Sequence, residues 1–122
     1  MRRPITFGLS MLAASATLFA SAGTARADEN GPSGCNNNVC IYTAYTGSGY
    51  QVWGEFDHTN VQDGHLDFWG PGRPRVSSPN GYWPANHDTR RYAGKGSGKV
   101  CAEGWSRIGG KWNSVGLPCV TI

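Results

Sequence analysis

Strand-like runs of alternating apolar and polar residues are clearest near the C-terminus, on either side of Gly109-Gly110. Two adjacent glycines suit a two-residue hairpin turn, which needs positive φ. With this turn, residues whose numbers sum to about 219 face each other, because antiparallel pairing advances one residue on each strand. The pattern therefore predicts a hairpin with Arg107 opposite Trp112 and Cys101 opposite Pro118.

The cysteines fit this hairpin if the returning strand contains one extra residue. Cys119 is one position away from facing Cys101, and a bulge near Gly116 corrects the offset. We therefore predict a Cys101–Cys119 disulfide, which leaves Cys35 to pair with Cys40. The alternative pairing, Cys35–Cys101 with Cys40–Cys119, stays open.

A second hairpin is predicted upstream. Residues 39–45 are rich in β-branched and aromatic side chains, and Gly47-Ser48-Gly49 turns the chain into the similar residues 50–53. Further along, residues 64–70 alternate strictly. This alternation predicts a strand with Leu66 and Phe68 on one face, and it places the following side chains on the other face: His65, Asp67 and Trp69.

The fold class follows from these short elements. Four prolines between residues 71 and 88 exclude a central strand there, and residues 90–100 predict an exposed strand and turn. The whole chain suggests about six to eight short strands joined by Gly-rich turns, with no long helical pattern. We expect an all-β fold, a small antiparallel sandwich or barrel with two disulfides.

The N-terminus has the features of an export signal. Arg2 and Arg3 precede an apolar run, and Ala25-Arg26-Ala27 is a typical cleavage site. We predict a secretory signal peptide over residues 1–27, a flexible lead over residues 28–34 and one β domain over residues 35–122. The protein is expected to be secreted, where its four cysteines would be oxidised.

Charge argues against a nucleic-acid partner. Signal removal takes three arginines and leaves 8 basic residues (11 − 3) against 8 acidic ones, so the exported chain is close to neutral. The charges are unevenly placed, since most acids precede residue 68 and all remaining bases follow residue 72. No membrane span is expected either, because no later segment is apolar enough.

Candidate catalytic chemistry is sparse. The residue types that could bind metal or transfer protons are His58, His65, His87, Asp57, Asp67 and Asp88. No local spacing brings two of them together except His65 and Asp67, which share a strand face. The cysteine spacings do not match a zinc ribbon, and no G-x-S-x-G motif occurs. We expect no enzymatic activity, no metal and no cofactor.

Aromatic residues beside arginines are the stronger functional signal. Trp and Arg are the residue types whose truncation most often weakens protein interfaces, and proline-restricted loops lose little entropy on binding. The segment from Pro71 to Arg91 combines both features. The predicted binding residues are Trp69, Arg73, Arg75, Tyr82, Trp83, Arg90 and Arg91. Trp105 and Trp112 flank the C-terminal turn.

Two family resemblances give these features a context. Tyr42, with Gly49 seven residues on, resembles the aromatic-to-glycine spacing of βγ-crystallin-type strands, which occur in small secreted actinobacterial proteins including peptidase inhibitors. The export signal, the four cysteines and the small size resemble the adaptor subunits of umbrella-shaped toxin particles. That resemblance implies a non-enzymatic adaptor that joins two larger secreted subunits.

The sequence therefore predicts a secreted, non-enzymatic module that binds another secreted protein, such as a larger subunit of a toxin complex. A secreted peptidase inhibitor is the alternative, with a protease as its partner. A further alternative is a lectin-like module that binds glycans or cell wall, because exposed indole rings also stack on sugars.

Overall fold

A computed structural model describes residues 30–122. The predicted signal peptide lies outside the described residues. The described chain forms ten strands: β1 (Gly34–Asn36), β2 (Val39–Thr46), β3 (Gly49–Phe56), β4 (Val61–Gly70), β5 (Arg73–Ser77), β6 (Gly81–Trp83), β7 (Tyr92–Gly94), β8 (Lys99–Ile108), β9 (Lys111–Gly116) and β10 (Cys119–Thr121). The prediction of about six to eight strands was too low, because three-residue strands such as β1, β6 and β10 are too short to show alternation.

The strands form two antiparallel sheets, which confirms the predicted all-β fold class. One sheet has the order β1-β2-β3-β7. The other has the order β10-β8-β4-β5, with β6 also paired to β4 and β9 also paired to β8. Apolar side chains from both sheets pack into a single core, so the architecture is a sandwich. The largest fully buried side chains include Ile41, Tyr50, Phe56, Leu66 and Phe68.

The predicted C-terminal hairpin is confirmed. Gly109 and Gly110 have φ of 59° and 78°, the positive values that a tight two-residue turn requires, and Arg107 pairs with Trp112. The register then shifts by one residue at Val115, next to the glycine that was expected to mark the bulge. This shift brings the β10 cysteine opposite its β8 partner, and the Cys101–Cys119 disulfide forms.

The N-terminal hairpin and the other disulfide are also confirmed. Strands β2 and β3 pair from Val39–Phe56 at one end to Thr46–Gly49 at the turn. Cys35 of β1 pairs directly with Cys40 of β2, and the two form a disulfide. The alternative connectivity is therefore excluded.

Strand β4 lies at the middle of the six-stranded sheet and shows the predicted alternation. Leu66 and Phe68 are fully buried, and they pair with Gly104 and Ala102 of β8. The small residues on β8 leave room for the larger side chains on β4. The neighbouring residues of both strands point to the opposite face of the sheet.

The proline-rich segment forms edge strands, as expected. Both β5 and β6 pair only with β4, and Pro74 lies in β5, on the border of the sheet. Strand β7 differs from expectation, since the segment around it was predicted to be exposed. Tyr92 and Gly94 of β7 are buried, because β7 pairs with β3 and the tyrosine ring joins the core.

Residues 30–34, part of the predicted flexible lead, make contacts with β2. The Gly31 amide donates a hydrogen bond to the Thr43 carbonyl, and the Thr43 hydroxyl donates to the Pro32 carbonyl. Gly34 already belongs to β1. The described residues include no helix that is long and apolar enough to cross a membrane.

Two buried tyrosines tie the sheets together. The Tyr50 hydroxyl donates a hydrogen bond of 2.8 Å to the Pro71 carbonyl, which links β3 to the turn after β4. Burial raises the pKa of Tyr50 above its usual value of about 10, and nearby Arg73 opposes the shift. Burial likewise raises the pKa of Tyr92, opposed by Arg90 and Arg73.

These shifts predict a loss of stability in alkali. Above pH 10 a tyrosine in the unfolded chain loses its proton while the folded chain keeps it, so the free energy of unfolding falls as pH rises. Tyr50→Phe should lower that free energy by about 1 kcal/mol at pH 8, through the lost hydrogen bond, and should flatten its decline above pH 10. Urea unfolding at several pH values measures both effects. Tyr45→Phe, at a half-exposed position, is the control, and equal slopes in the two variants would contradict the prediction.

Candidate binding face on the six-stranded sheet

The six-stranded sheet has one face against the core and one that points away from it, which we name the outer face. Side chains alternate between the faces along each strand, so strand pairing decides which residues share the outer face. The outer face includes Asp63, His65, Asp67 and Trp69 of β4, Glu103, Trp105 and Arg107 of β8, Arg75 and Ser77 of β5, and Trp112 and Ser114 of β9. Lys99, at the start of β8, lies on the same face near its border.

Asp67 lies at the centre of the outer face and is only 8% exposed. It pairs with Ser77 of β5 on one side and Glu103 of β8 on the other. Its Oδ2 accepts hydrogen bonds from Arg75 Nε at 3.3 Å and Nη2 at 3.0 Å. Its Oδ1 accepts one from the Ser77 hydroxyl, and His65 Nε2 lies 3.3 Å from the same atom. Asp67 therefore fixes the positions of three neighbouring side chains.

Glu103 is less fully occupied than Asp67. The Ser114 hydroxyl donates a 2.8 Å hydrogen bond to its Oε2, and Arg75 Nη2 lies 3.5 Å from its Oε1. A carboxylate offers about four lone-pair positions, so Glu103 keeps acceptor capacity for a ligand. The Arg75 guanidinium bridges the two carboxylates, which compensates the repulsion between neighbouring like charges.

A second network continues from His65. Its Nδ1 lies 3.0 Å from Asn80 Oδ1, and the Asn80 amide donates a 3.2 Å hydrogen bond to Asp63 Oδ1. Arg107 holds the other oxygen of Asp63 through Nε at 2.8 Å and Nη2 at 2.7 Å. Polar contacts thus run across the outer face from Glu103 to Arg107. This network holds the side chains in one arrangement.

Three tryptophans flank these polar networks. The Arg75 guanidinium carbon lies 4.2 Å from the centre of the Trp69 ring, and that of Arg107 lies 5.1 Å from Trp112. Both distances are typical of cation–π contacts. The His65 ring meets the edge of Trp112 at 4.9 Å between centroids. Trp112 is nevertheless 41% exposed, so it offers surface to a ligand.

A cavity of about 280 Å³ opens on this face, lined by His65, Asp67, Trp105 and Trp112. Its indole N–H groups, those of Trp105 and Trp112, have no hydrogen-bond acceptor within residues 30–122. By contrast, the Trp83 N–H donates to the Pro79 carbonyl at 3.1 Å. Indole nitrogens without a protein partner are donors that a ligand can use.

The histidines do not converge on a metal site. His65 lies beside Asp67, as the shared strand face predicted, whereas His58 contacts Asp57 at 3.3 Å elsewhere. His87 lies near the Trp83 ring. Among the described residues, the grouping that comes close enough for a metal is Cys35, Cys40 and Asp57, but its two sulfur atoms form a disulfide and are not thiolate ligands.

The outer face lacks the geometry of two familiar catalytic sites. The hydroxyls of Ser77 and Ser114 donate to carboxylates, whereas a nucleophilic serine would donate to a histidine. Asp67 and Glu103 are bridged by one guanidinium, whereas the two carboxyls of a glycoside hydrolase flank an open gap that holds the sugar bond. The arrangement therefore matches neither of these two sites.

The structure places the seven predicted binding residues in separate locations. Trp69 and Arg75 lie together on the outer face. Arg73 and Arg90 approach the same ring, with their guanidinium carbons 5.5 and 5.3 Å from the centre of Tyr92. Both arginines lie near β7, the edge strand of the four-stranded sheet. Their role in binding stays a prediction.

The remaining three predicted residues lie apart from both groups. Arg91 stacks on Trp53 at 3.7 Å, on the four-stranded sheet. Tyr82 is 54% exposed on the edge strand β6. Trp83, its neighbour, packs against the core and is only partly exposed. The segment from Pro71 to Arg91 therefore does not form one continuous aromatic patch.

Several outer-face residues had not been predicted as binding residues, chiefly Asp67, Glu103, Trp105 and Trp112. Alternation along β8 places Glu103 and Trp105 on one face, and that signal was readable. Their approach to β4 was not readable, because the two strands are separated by about thirty residues of edge strands and turns. Only the β4–β8 register joins the two halves of the site.

Comparison with known proteins gives no relative from which to transfer a function: no family model, no curated protein and no solved structure matches the chain. The resemblances to βγ-crystallin-type proteins and to toxin-complex adaptors therefore stay predictions. Interpretation of the outer face depends on its own geometry.

The central position of Asp67 predicts a cost for removing its charge. Asp67→Asn weakens its bonds with Arg75, Ser77 and His65 while keeping the side-chain size, so unfolding free energy should fall by about 1–3 kcal/mol. Asp88→Asn, at an exposed carboxylate, is the matched control and should change stability by less than about 0.5 kcal/mol. Urea unfolding followed by tryptophan fluorescence measures both. Equal stabilities for the two variants would show that the Asp67 network does not hold the face together.

Proposed function

We propose that this protein is a secreted, non-enzymatic binding module for another secreted protein, and that the outer face is its main contact surface. One observation carries this proposal: three tryptophans and two arginines share one open sheet face, and carboxylates already hold both arginines in place. Two disulfides within residues 30–122 agree with an oxidising compartment.

The polar groups of the outer face are mostly paired with one another, which supports a protein partner. Tryptophan and arginine dominate the energetics of protein interfaces. Because Arg75 and Arg107 are already paired with Asp67 and Asp63, little side-chain entropy remains to be lost on binding. The same pairing uses most of the acceptor capacity of the two aspartates. The groups left for contact are mainly ring surfaces, which suit an apolar or cationic protein surface.

Within this class, an adaptor is favoured over a peptidase inhibitor. An adaptor that joins two subunits needs two contact surfaces, whereas an inhibitor needs one. The chain has a second group of arginine and aromatic side chains, Arg73, Tyr92 and Arg90, away from the outer face. We propose that the two arginines of this second group, which Tyr92 supports from the core, contact a second subunit of an extracellular toxin or antagonism complex.

Glycan binding is the second candidate, and one observation favours it. Glu103 keeps free acceptor capacity close to indole rings whose N–H groups lack acceptors in residues 30–122. Rings, carboxylates and amides are the groups that a sugar-binding site uses. One observation argues against a glycan. Sugar hydroxyls need several free hydrogen-bonding groups, and both oxygens of Asp67 already accept hydrogen bonds from this chain.

Capture of secreted proteins by single-residue variants tests the proposal. The exported protein is immobilised, exposed to culture supernatant of the producing organism, and its captured proteins are quantified by mass spectrometry. Trp112→Ala should reduce capture of one partner at least tenfold, because it removes the most exposed tryptophan of the outer face. Arg90→Ala should leave that partner bound and reduce a different one, as an adaptor requires.

Controls separate the alternatives. Tyr45→Ala, an exposed aromatic outside both groups, should leave both partners bound, and circular dichroism should show each variant folded. If wild-type binding is to polysaccharide and free sugar competes for it, the glycan candidate replaces the protein one. If Trp112→Ala retains full capture, the outer face is not the contact surface.

A further inference from the structure

The three tryptophans of the outer face differ in whether an arginine lies over the indole ring. Trp69 and Trp112 each carry an arginine of this chain over the ring, at 4.2 and 5.1 Å. Trp53 on the other sheet carries one as well, at 3.7 Å. Among residues 30–122, Trp105 has no cation over its ring. It faces the 280 Å³ cavity instead.

The cavity repeats the surroundings of the two occupied rings. Arg75 lies over Trp69 and bonds to Asp67, and Arg107 lies over Trp112 and bonds to Asp63. A guanidinium in each case combines a ring surface with a carboxylate. The cavity beside Trp105 offers the same two partners, since its lining also contains a second indole ring, Asp67 and His65. Within residues 30–122, its lining contains no arginine or lysine.

The charge of the face favours a cation there. Around the cavity, three carboxylates, Asp63, Asp67 and Glu103, share two guanidinium groups, so acidic groups outnumber guanidinium groups there. Lys99, which alternation also places on the outer face, lies at the far end of β8, where it pairs with Thr121. Asp67 is buried, so its field is screened by solvent less than that of an exposed carboxylate. The oxygen atoms of Asp67 already accept hydrogen bonds from Arg75 and Ser77. Asp67 would therefore attract a cationic ligand through its negative charge, while the indole rings make the direct contact.

We propose that the cavity between Trp105 and Trp112 receives a cationic side chain, lysine or arginine, from the protein that binds the outer face. This inference rests on the proposed function, because it assigns the group that the outer face recognises. The aromatic walls contribute cation–π attraction, and the indole N–H groups are available to acceptors elsewhere on the same segment of the partner.

Neutral and charged analogues of one side chain test the inference directly. Protein labelled with ¹⁵N shows a separate indole N–H signal for each tryptophan in two-dimensional NMR spectra. N-acetyl-arginine methylamide should shift the Trp105 and Trp112 signals, and N-acetyl-citrulline methylamide, which has nearly the same shape but no charge, should bind about tenfold more weakly. N-acetyl-lysine methylamide shows which cation is preferred.

A tryptophan substitution and a change in salt concentration test whether the ring and the charge contribute to binding. Trp105→Leu keeps an apolar side chain in the sheet and should weaken arginine-analogue binding about tenfold, whereas Trp83→Leu, outside the outer face, should leave it unchanged. Raising sodium chloride from about 0.05 to 0.5 M should weaken binding, since charge attraction contributes. Equal binding of the citrulline analogue, or shifts confined to tryptophans other than 105 and 112, overturns the inference.

The two proposals fail in different ways. If the arginine analogue does not shift the cavity tryptophans but Trp112→Ala still loses its captured partner, the outer face is an interface and the cation assignment is wrong. If the analogue binds the cavity but Trp112→Ala and Trp105→Leu retain full capture, the cavity binds cations and the outer face is not the protein interface. The second result overturns the inference as well, because the cation would then not come from that partner.

Discussion

The pairing of β4 with β8 is the constraint on which the rest of the structure depends. This register places Leu66 and Phe68 opposite Gly104 and Ala102 on the core side. The same register places Asp67 beside Glu103 on the other side. A shift by one residue would expose the core side chains and bury the acidic ones, because alternate residues point to opposite faces. One set of backbone hydrogen bonds therefore defines both the core and the candidate site.

Much of the fold could be predicted from local sequence. Gly109-Gly110 fixed the C-terminal turn, and the cysteine offset indicated the bulge that the register shift at Val115 confirms. Both disulfides followed from that hairpin. The three-residue strands β1, β6 and β10 could not be predicted, because alternation needs more residues to become visible. The burial of Tyr92 was also missed, since its surroundings in sequence are basic and Gly-rich while its partners come from β3 and the core.

The candidate site was only partly predictable for a related reason. Trp69 and Arg75 were named as binding residues, and they lie in contact on the outer face. Their acidic partners come from strands distant in sequence, and no local pattern indicates a contact such as Arg75 with Glu103. Aromatic composition alone also could not separate Trp83, which packs against the core, from Trp105, which lines a cavity.

The central functional claim is that the outer face meets the partner protein. Fluorine NMR of protein that contains 5-fluorotryptophan tests it in one titration, because the chain has five tryptophans and each gives one signal. On addition of the partner whose capture Trp112→Ala reduces, the signals of Trp69, Trp105 and Trp112 should shift or broaden while those of Trp53 and Trp83 stay in place. Changes at Trp83 with the three outer-face signals unmoved would contradict the account and would place the contact on the proline-rich segment.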